Sequence, residues 1–220
     1  MEEKDMKTVV CFGDSNTFGV DPDGGRHPRD ARWTGRLQTL LGKDYYIVEE
    51  GLNGRTTVFE DPMQPYRNGA EALPYVLQSH KPTDLFLIML GTNDCKAHFG
   101  VSAKAISRGL DRLCRMIEHF DYGDFKTPDI FIVSPIHMAD GVLERGVSDF
   151  NEDSIRKAEE LASFYKEIAA TYHAGFFDAS TVATPGSDAL HMDAVSHRSL
   201  AEALAEEVKR WFDEKTEGGK

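Results

Sequence analysis

The first residues with chemistry in them are Gly13-Asp14-Ser15, which follow the apolar run Thr8-Val9-Val10-Cys11-Phe12. A serine hydroxyl is a poor nucleophile until a base removes its proton. On a sharp strand-to-helix turn its oxygen is exposed, and the helix N-terminus aims N–H groups at the place where negative charge develops. The same residues also read as a plain helix start, with Ser15 or Asp14 as N-cap. Gly91-Thr92-Asn93-Asp94 follows the most apolar run in the chain. The Asn93 carboxamide is a neutral donor suited to an oxyanion; Asn and Asp also favour turns for local reasons. In Asp188-Ala189-Leu190-His191 the three-residue spacing lets an aspartate hold the Nδ1 side of a histidine and leaves Nε2 as a base. The competing reading is a surface histidine beside a helix-capping acid. Gly54 either brings a backbone N–H close to a ligand or makes a simple turn. Among eight histidines, His137 is the one competitor for the base; His27, His80, His98, His119, His173 and His197 show no partner pattern.

What positions these groups is an alternation of short apolar runs with helical stripes. Strands are expected at residues 8–12, 45–48, 85–90 and 130–133, with a short fifth around Phe176-Phe177. The run 85–90 is apolar throughout, as a central parallel strand should be. Helical period appears in Ile106, Leu110, Leu113, Ile117 and Phe120. It recurs in Ile155, Ala158, Leu161, Tyr165, Ile168 and Tyr172, and again in Leu200, Leu204, Val208 and Trp211. Trp33, Leu37, Leu40 and Leu41 suggest a further helix, stopped by Gly42. The stretch 53–80 holds Gly54, Pro62, Pro65, Gly69 and Pro74 and reads as a long loop with at most one short helix. This order predicts an α/β fold: a five-stranded parallel sheet covered on both faces, a three-layer α/β/α sandwich. The expectation is one domain over residues 1–220, with its core at about 8–212 and a flexible tail at 216–220. Ligands of such sheets bind outside the carboxyl ends of the strands. Ser15, Gly54, Asn93 and the Asp188–His191 pair all follow strands, so all should open on one edge.

Composition narrows the function class. Apolar residues make up 40% of the 220 and charged residues 28%, an ordinary soluble balance. A net charge of −12 repels nucleic acid on average, so that partner class is set aside. The start Met1-Glu2-Glu3-Lys4-Asp5 is unlike an export signal. No run approaches the roughly 20 apolar residues of a membrane span. The expected site is the cytoplasm, with no membrane partner and with Cys11, Cys95 and Cys114 as reduced thiols. Nothing in the spacing suggests a metal ligand set.

These blocks also resemble a known family. Val10-Cys11-Phe12-Gly13-Asp14-Ser15, Gly54, Gly91-Thr92-Asn93-Asp94 and Asp188-Ala189-Leu190-His191 are similar in order and spacing to the GDSL/SGNH hydrolases, from about Val9 to Trp211. A closer resemblance is to the small bacterial arylesterase/acyltransferase branch. It is carried by Arg32-Trp33-Thr34-Gly35, Glu49-Glu50-Gly51-Leu52, Arg55-Thr56-Thr57, Ile88-Met89-Leu90-Gly91-Thr92-Asn93-Asp94 and Val133-Ser134-Pro135. The resemblance implies a flavodoxin-like topology. It implies Ser15 as nucleophile, His191 as base and Asp188 as its orienter. The Ser15 and Gly54 N–H groups and the Asn93 side chain would form the oxyanion hole.

The implied activity is hydrolysis of short-chain acyl or aryl esters through an acyl-enzyme, with acyl transfer to alcohols as an extension and no cofactor. Deacetylation of a carbohydrate is the alternative. A reading from another class is a non-catalytic flavodoxin-like module whose Gly13-Asp14-Ser15 turn cradles a phosphate. The branch also implies a homo-oligomer acting on a small-molecule ester. Asn16 stands where the family's name has leucine. Phe18 and Val20 stand where the branch often has tryptophans, and with Asp14 they are the expected substrate-binding residues. The acidic segment 135–154 is a candidate lid or subunit contact.

Overall fold

Alternation along the first strand decides the architecture. In β1 (Lys7–Gly13), Val9 and Cys11 face one way and Val10 and Phe12 the other, and all four are fully buried. A strand buried on both faces needs a layer on each. The computed structural model describes residues 6–144 and 149–218 and supplies both layers. β2 (Tyr45–Gly51), β3 (Leu85–Met89), β4 (Asp129–Ser134) and β5 (Gly175–Asp178) join β1 in one parallel sheet of order β2-β1-β3-β4-β5. That order is the flavodoxin-like one, with its topological switch between β1 and β3. Gly13 pairs with Gly51 on one side and Met89 on the other, so these three strands end level at the switch.

On one face, α2 (Trp33–Leu41) and α6 (Ala194–Gly218) bring Trp33, Leu37, Leu200, Leu204 and Val208 onto Val9, Cys11 and Leu87. On the other, α3 (Gly69–Ser79), α4 (Ala103–Glu118) and α5 (Glu152–Thr171) pack onto Val10, Phe12, Phe86 and Ile88. The three-layer sandwich, the five strands and their parallel sense match the sequence expectation.

Two local expectations need correction. The stretch 53–80 contains an eleven-residue helix, α3, despite Pro74 inside it. A proline in a helix interior costs about 3 kcal/mol. Burial of Leu73, Val76 and Leu77, each contributing about 1.5–3 kcal/mol, outweighs it. Asn68 starts the helix by accepting a hydrogen bond from the Ala70 N–H. The second correction concerns the helix after β1. It is a single turn, α1 (Ser15–Phe18), ended by Gly19 in a left-handed conformation, too short to carry a helix dipole of any size. α6 runs to Gly218, so residues 216–218 of the tail continue the helix. Residues 1–5, 145–148 and 219–220 lie outside the described residues, and with them the acidic N-terminus, the middle of segment 135–154 and the end of the tail. Among the described residues no helix is long and apolar enough to cross a membrane.

Candidate active site

Ser15 sits directly past β1 because Gly13 allows the chain to turn tightly there. A Cβ on Gly13 would lie 2.0 Å from Thr17 Oγ1 and 2.9 Å from Met89 O, so any larger residue would push the turn off the sheet. Asp14 caps the turn by accepting from the Asn16 N–H at 3.0 Å. This presents Ser15 Oγ to a residue from the far end of the chain. His191 Nε2 lies 3.0 Å from Ser15 Oγ, and His191 Nδ1 lies 2.6 Å from Asp188 Oδ2. Asp188 Oδ1 also accepts from the Leu190 N–H at 2.9 Å and the His191 N–H at 2.7 Å. Burial alone would raise the Asp188 carboxyl. The hydrogen bonds from the His191 ring and these two amides hold it below the usual carboxylate range instead. Asp188 is therefore an anion fixed on one edge of the imidazole, while the other edge faces a serine hydroxyl. That arrangement can move a proton off Ser15.

Gly54 and Asn93 join Ser15 and His191 along one cleft of about 290 Å³. Gly54 is held at φ 78°, a left-handed conformation, and its N–H has no acceptor among the described residues. Asn93 donates one Nδ2 hydrogen to Arg55 O at 3.2 Å, which fixes the carboxamide and leaves its second N–H for a ligand. Arg55 in turn anchors this loop to the sheet. Its guanidinium donates to Gly13 O at 2.9 Å and to Glu50 O, and lies 4.1 Å over the Phe12 ring. The switch between β1 and β3 thus has Ser15 on one side and Asn93 on the other, as the topology rule expects.

Not every sequence-predicted site residue reaches the cleft. Val20 lines it. Asp14 does not: its carboxyl is turned inward as the cap of α1 and is only 1% exposed. Phe18 does not either, because the Arg26 guanidinium lies 3.8 Å over its ring and Arg26 Nε donates to Phe18 O. His137 is likewise outside the cleft lining, which leaves His191 as the base candidate in contact with Ser15. Sequence reading missed Asn53, Gln64 and Lys96, which line the cleft together with Asp149 and Phe150 of the candidate lid segment 135–154. Lys96 is 3% exposed and its ammonium lies 3.0 Å from Asp61, which is buried as well. The Asp61 partner comes from a proline-rich loop with no periodicity to read. A cavity of about 400 Å³ opens at the opposite sheet edge among Lys7, Asp84, Asp129 and Lys215, far from these groups.

Beneath the cleft lie two buried carboxylates. Burial pushes Asp14 up to about 6, partly offset by the Asn16 N–H. Burial pushes Asp94 up to about 6 as well, although its carboxylate accepts from the Thr57 N–H and hydroxyl. A carboxyl whose folded pKa lies above its unfolded value of 3.8 favours folding at low pH, and that contribution is lost as pH rises through about 4 to 6. Asp94→Asn keeps the oxygen that accepts from Thr57 and cannot ionise. Its melting temperature relative to wild type is expected to rise between pH 4 and pH 7. A difference that stays flat or falls over that window would show that Asp94 is ionised without cost.

Comparison with known proteins places the same frame in a family. The model of the GDSL-like lipase/acylhydrolase family matches residues 11–201. The native aryl esterase of M. smegmatis is 39% identical, with a TM-score of 0.88 over 93% of this chain and 99% of that one. Est24, a carbohydrate acetylesterase from Sinorhizobium meliloti, is 34% identical, with a TM-score of 0.86 over 93% and 99%. The lipase/acylhydrolase of Enterococcus faecalis shares the fold at 18% identity and a TM-score of 0.66. The lipoprotein YqeF of Bacillus subtilis (strain 168) is 34% identical over 93 residues, which span 42% of this chain and only 34% of that protein. With a family match from Cys11 to Ala201, the chain belongs to the GDSL-like lipase/acylhydrolase family.

Proposed function

We propose that the protein hydrolyses short-chain carboxylic esters through an acyl-enzyme on Ser15. The observation that carries this reading is the continuous chain Asp188–His191–Ser15, at 2.6 and 3.0 Å, opening on a cleft with unspent donors. His191 Nε2 takes the Ser15 proton as Oγ bonds to the ester carbonyl carbon. The Ser15 and Gly54 N–H groups and Asn93 Nδ2 hold the oxyanion. His191 then gives its proton to the leaving alcohol as the C–O bond breaks. Water repeats the sequence with His191 as base and frees the acid. An alcohol in place of that water makes the second half an acyl transfer.

A second reading has its own support. The cleft lining combines the polar side chains of Asn53, Gln64, Lys96 and Asp149 with the apolar ones of Val20, Phe150 and Leu190. The polar groups suit the hydroxyls of a sugar as the alcohol half, as in carbohydrate deacetylation. The test uses a fluorophosphonate, phenyl acetate and a per-acetylated monosaccharide on the same preparation. Mass spectrometry is expected to find the phosphonyl group on Ser15, with loss of turnover in step with labelling. Turnover of phenyl acetate well above the sugar ester supports the first reading, and the reverse order the second. Active protein without label on Ser15 would exclude both.

A further inference from the structure

Asn16 follows the candidate nucleophile on α1 and is 2% exposed. Its carboxamide bonds to the segment that carries His191, more than 170 residues away in the chain. Oδ1 accepts from the Met192 N–H at 2.9 Å and Nδ2 donates to Leu190 O at 3.4 Å. The two bonds straddle His191. They also orient the amide, since only one end of it can accept and only the other can donate.

The remaining backbone groups of this segment are taken as well. Asp188 accepts from the N–H groups of Leu190 and His191. His191 O accepts from the Gly186 N–H at 2.7 Å, and Met192 O lies 3.1 Å from His27 Nε2. Each N–H and each carbonyl from Leu190 to Met192 therefore has a partner. Within that set Asn16 alone belongs to the element that carries Ser15. Asp188 sets the tautomer and the ring edge of His191. The distance between the His191 backbone and the Ser15 turn has to be set by something tied to both, and Asn16 is tied to both.

We propose that Asn16 is a positioning residue for the base: its carboxamide bridges the nucleophile turn to the backbone on both sides of His191 and so holds Nε2 at hydrogen-bond distance from Ser15 Oγ. The proposal rests on the reading of Ser15 and His191 as the reacting pair. A leucine at this position fills similar space and makes neither bond, so it isolates the bridge from the packing. A purely structural Asn16 would act on stability. A positioning Asn16 acts on the chemical step, where a misplacement of about 1 Å costs on the order of 100-fold.

The test measures kcat and KM for phenyl acetate, the rate at which a fluorophosphonate labels Ser15, and thermal melting. Asn16→Leu is expected to lower kcat about 10- to 100-fold with KM within about 3-fold of wild type, and to slow Ser15 labelling in parallel. Should Asn16→Leu melt below the assay temperature, Asn16→Ala removes both bonds without adding apolar bulk, and the same split is expected of it. A folded variant with kcat and labelling rate near wild type overturns the proposal, as does a loss confined to KM. Wild-type protein that is active but unlabelled at Ser15 overturns the reading of the site and the proposal with it. Labelled wild type with indifferent variants overturns the proposal alone.

Discussion

Ser15→Ala is expected to lower kcat on phenyl acetate by on the order of 10³-fold or more, with the fold intact. The size follows from what the hydroxyl does. Ser15 Oγ donates to His191 Nε2 at 3.0 Å in the proposed reading, and its removal leaves the base with no proton to take from the protein. The cleft and its donors survive the change, so a residual rate from oxyanion stabilisation and binding remains. Stability should move little. Ser15 is buried at the cleft, where deletion of the hydroxyl opens no apolar cavity and removes one hydrogen bond, a change of about 0.5–1.5 kcal/mol. A melting curve and a steady-state assay on the same sample check both halves. Near-wild-type turnover by Ser15→Ala would end the acyl-enzyme mechanism.

Asp188→Asn is expected to cost about 10³- to 10⁴-fold in kcat, a larger effect than loss of one charge near a histidine would suggest. The reason is geometric. Asp188 Oδ1 accepts from two backbone N–H groups, so an asparagine here keeps its oxygen on that side. Its NH₂ group then replaces Oδ2 and faces His191 Nδ1, which is 2.6 Å from that position. A donor there selects the imidazole with its hydrogen on Nε2. That tautomer cannot accept the proton of Ser15. Asp188→Ala removes the carboxylate without imposing the wrong tautomer, so it should be less damaging than Asp188→Asn per folded molecule. The opposite order in kcat would show that Asp188 acts by its charge alone.

How much of this was legible in the sequence depends on where a residue's partners lie. The central strands were readable because they are buried on both faces and so appear as apolar runs, Leu85 to Met89 above all. The end of β2 was not, because Glu49 and Glu50 continue the strand with polar residues. Glu49 accepts from Thr34, Arg29 and Arg32, an arrangement no local pattern announces. α3 was obscured by Pro74, a strong local signal that long-range packing overrides. In the candidate site, Ser15, Asn93, Asp188 and His191 stood out because each follows a strand end and has a polar type suited to one proposed role, and Gly54 because glycine admits the left-handed turn found there. Asp14 and Phe18 stand outside the cleft lining because their directions are set by a single helical turn, which sends the Asp14 carboxyl inward and lets Arg26 cover Phe18. Asn16 was the least readable of all. Its partners, Leu190 and Met192, are close only after the whole sheet has formed.

That separation along the chain also orders the birth of the site during synthesis. Ser15, Gly54 and Asn93 leave the ribosome early, while the Asp188–His191 segment follows only after β5. If Ser15 and His191 react as proposed, a polypeptide that stops anywhere before residue 188 carries a serine with no base. On the proposed reading, unfinished chains are chemically silent, and Ser15 gains its base only once the segment after β5 reaches the end of β1.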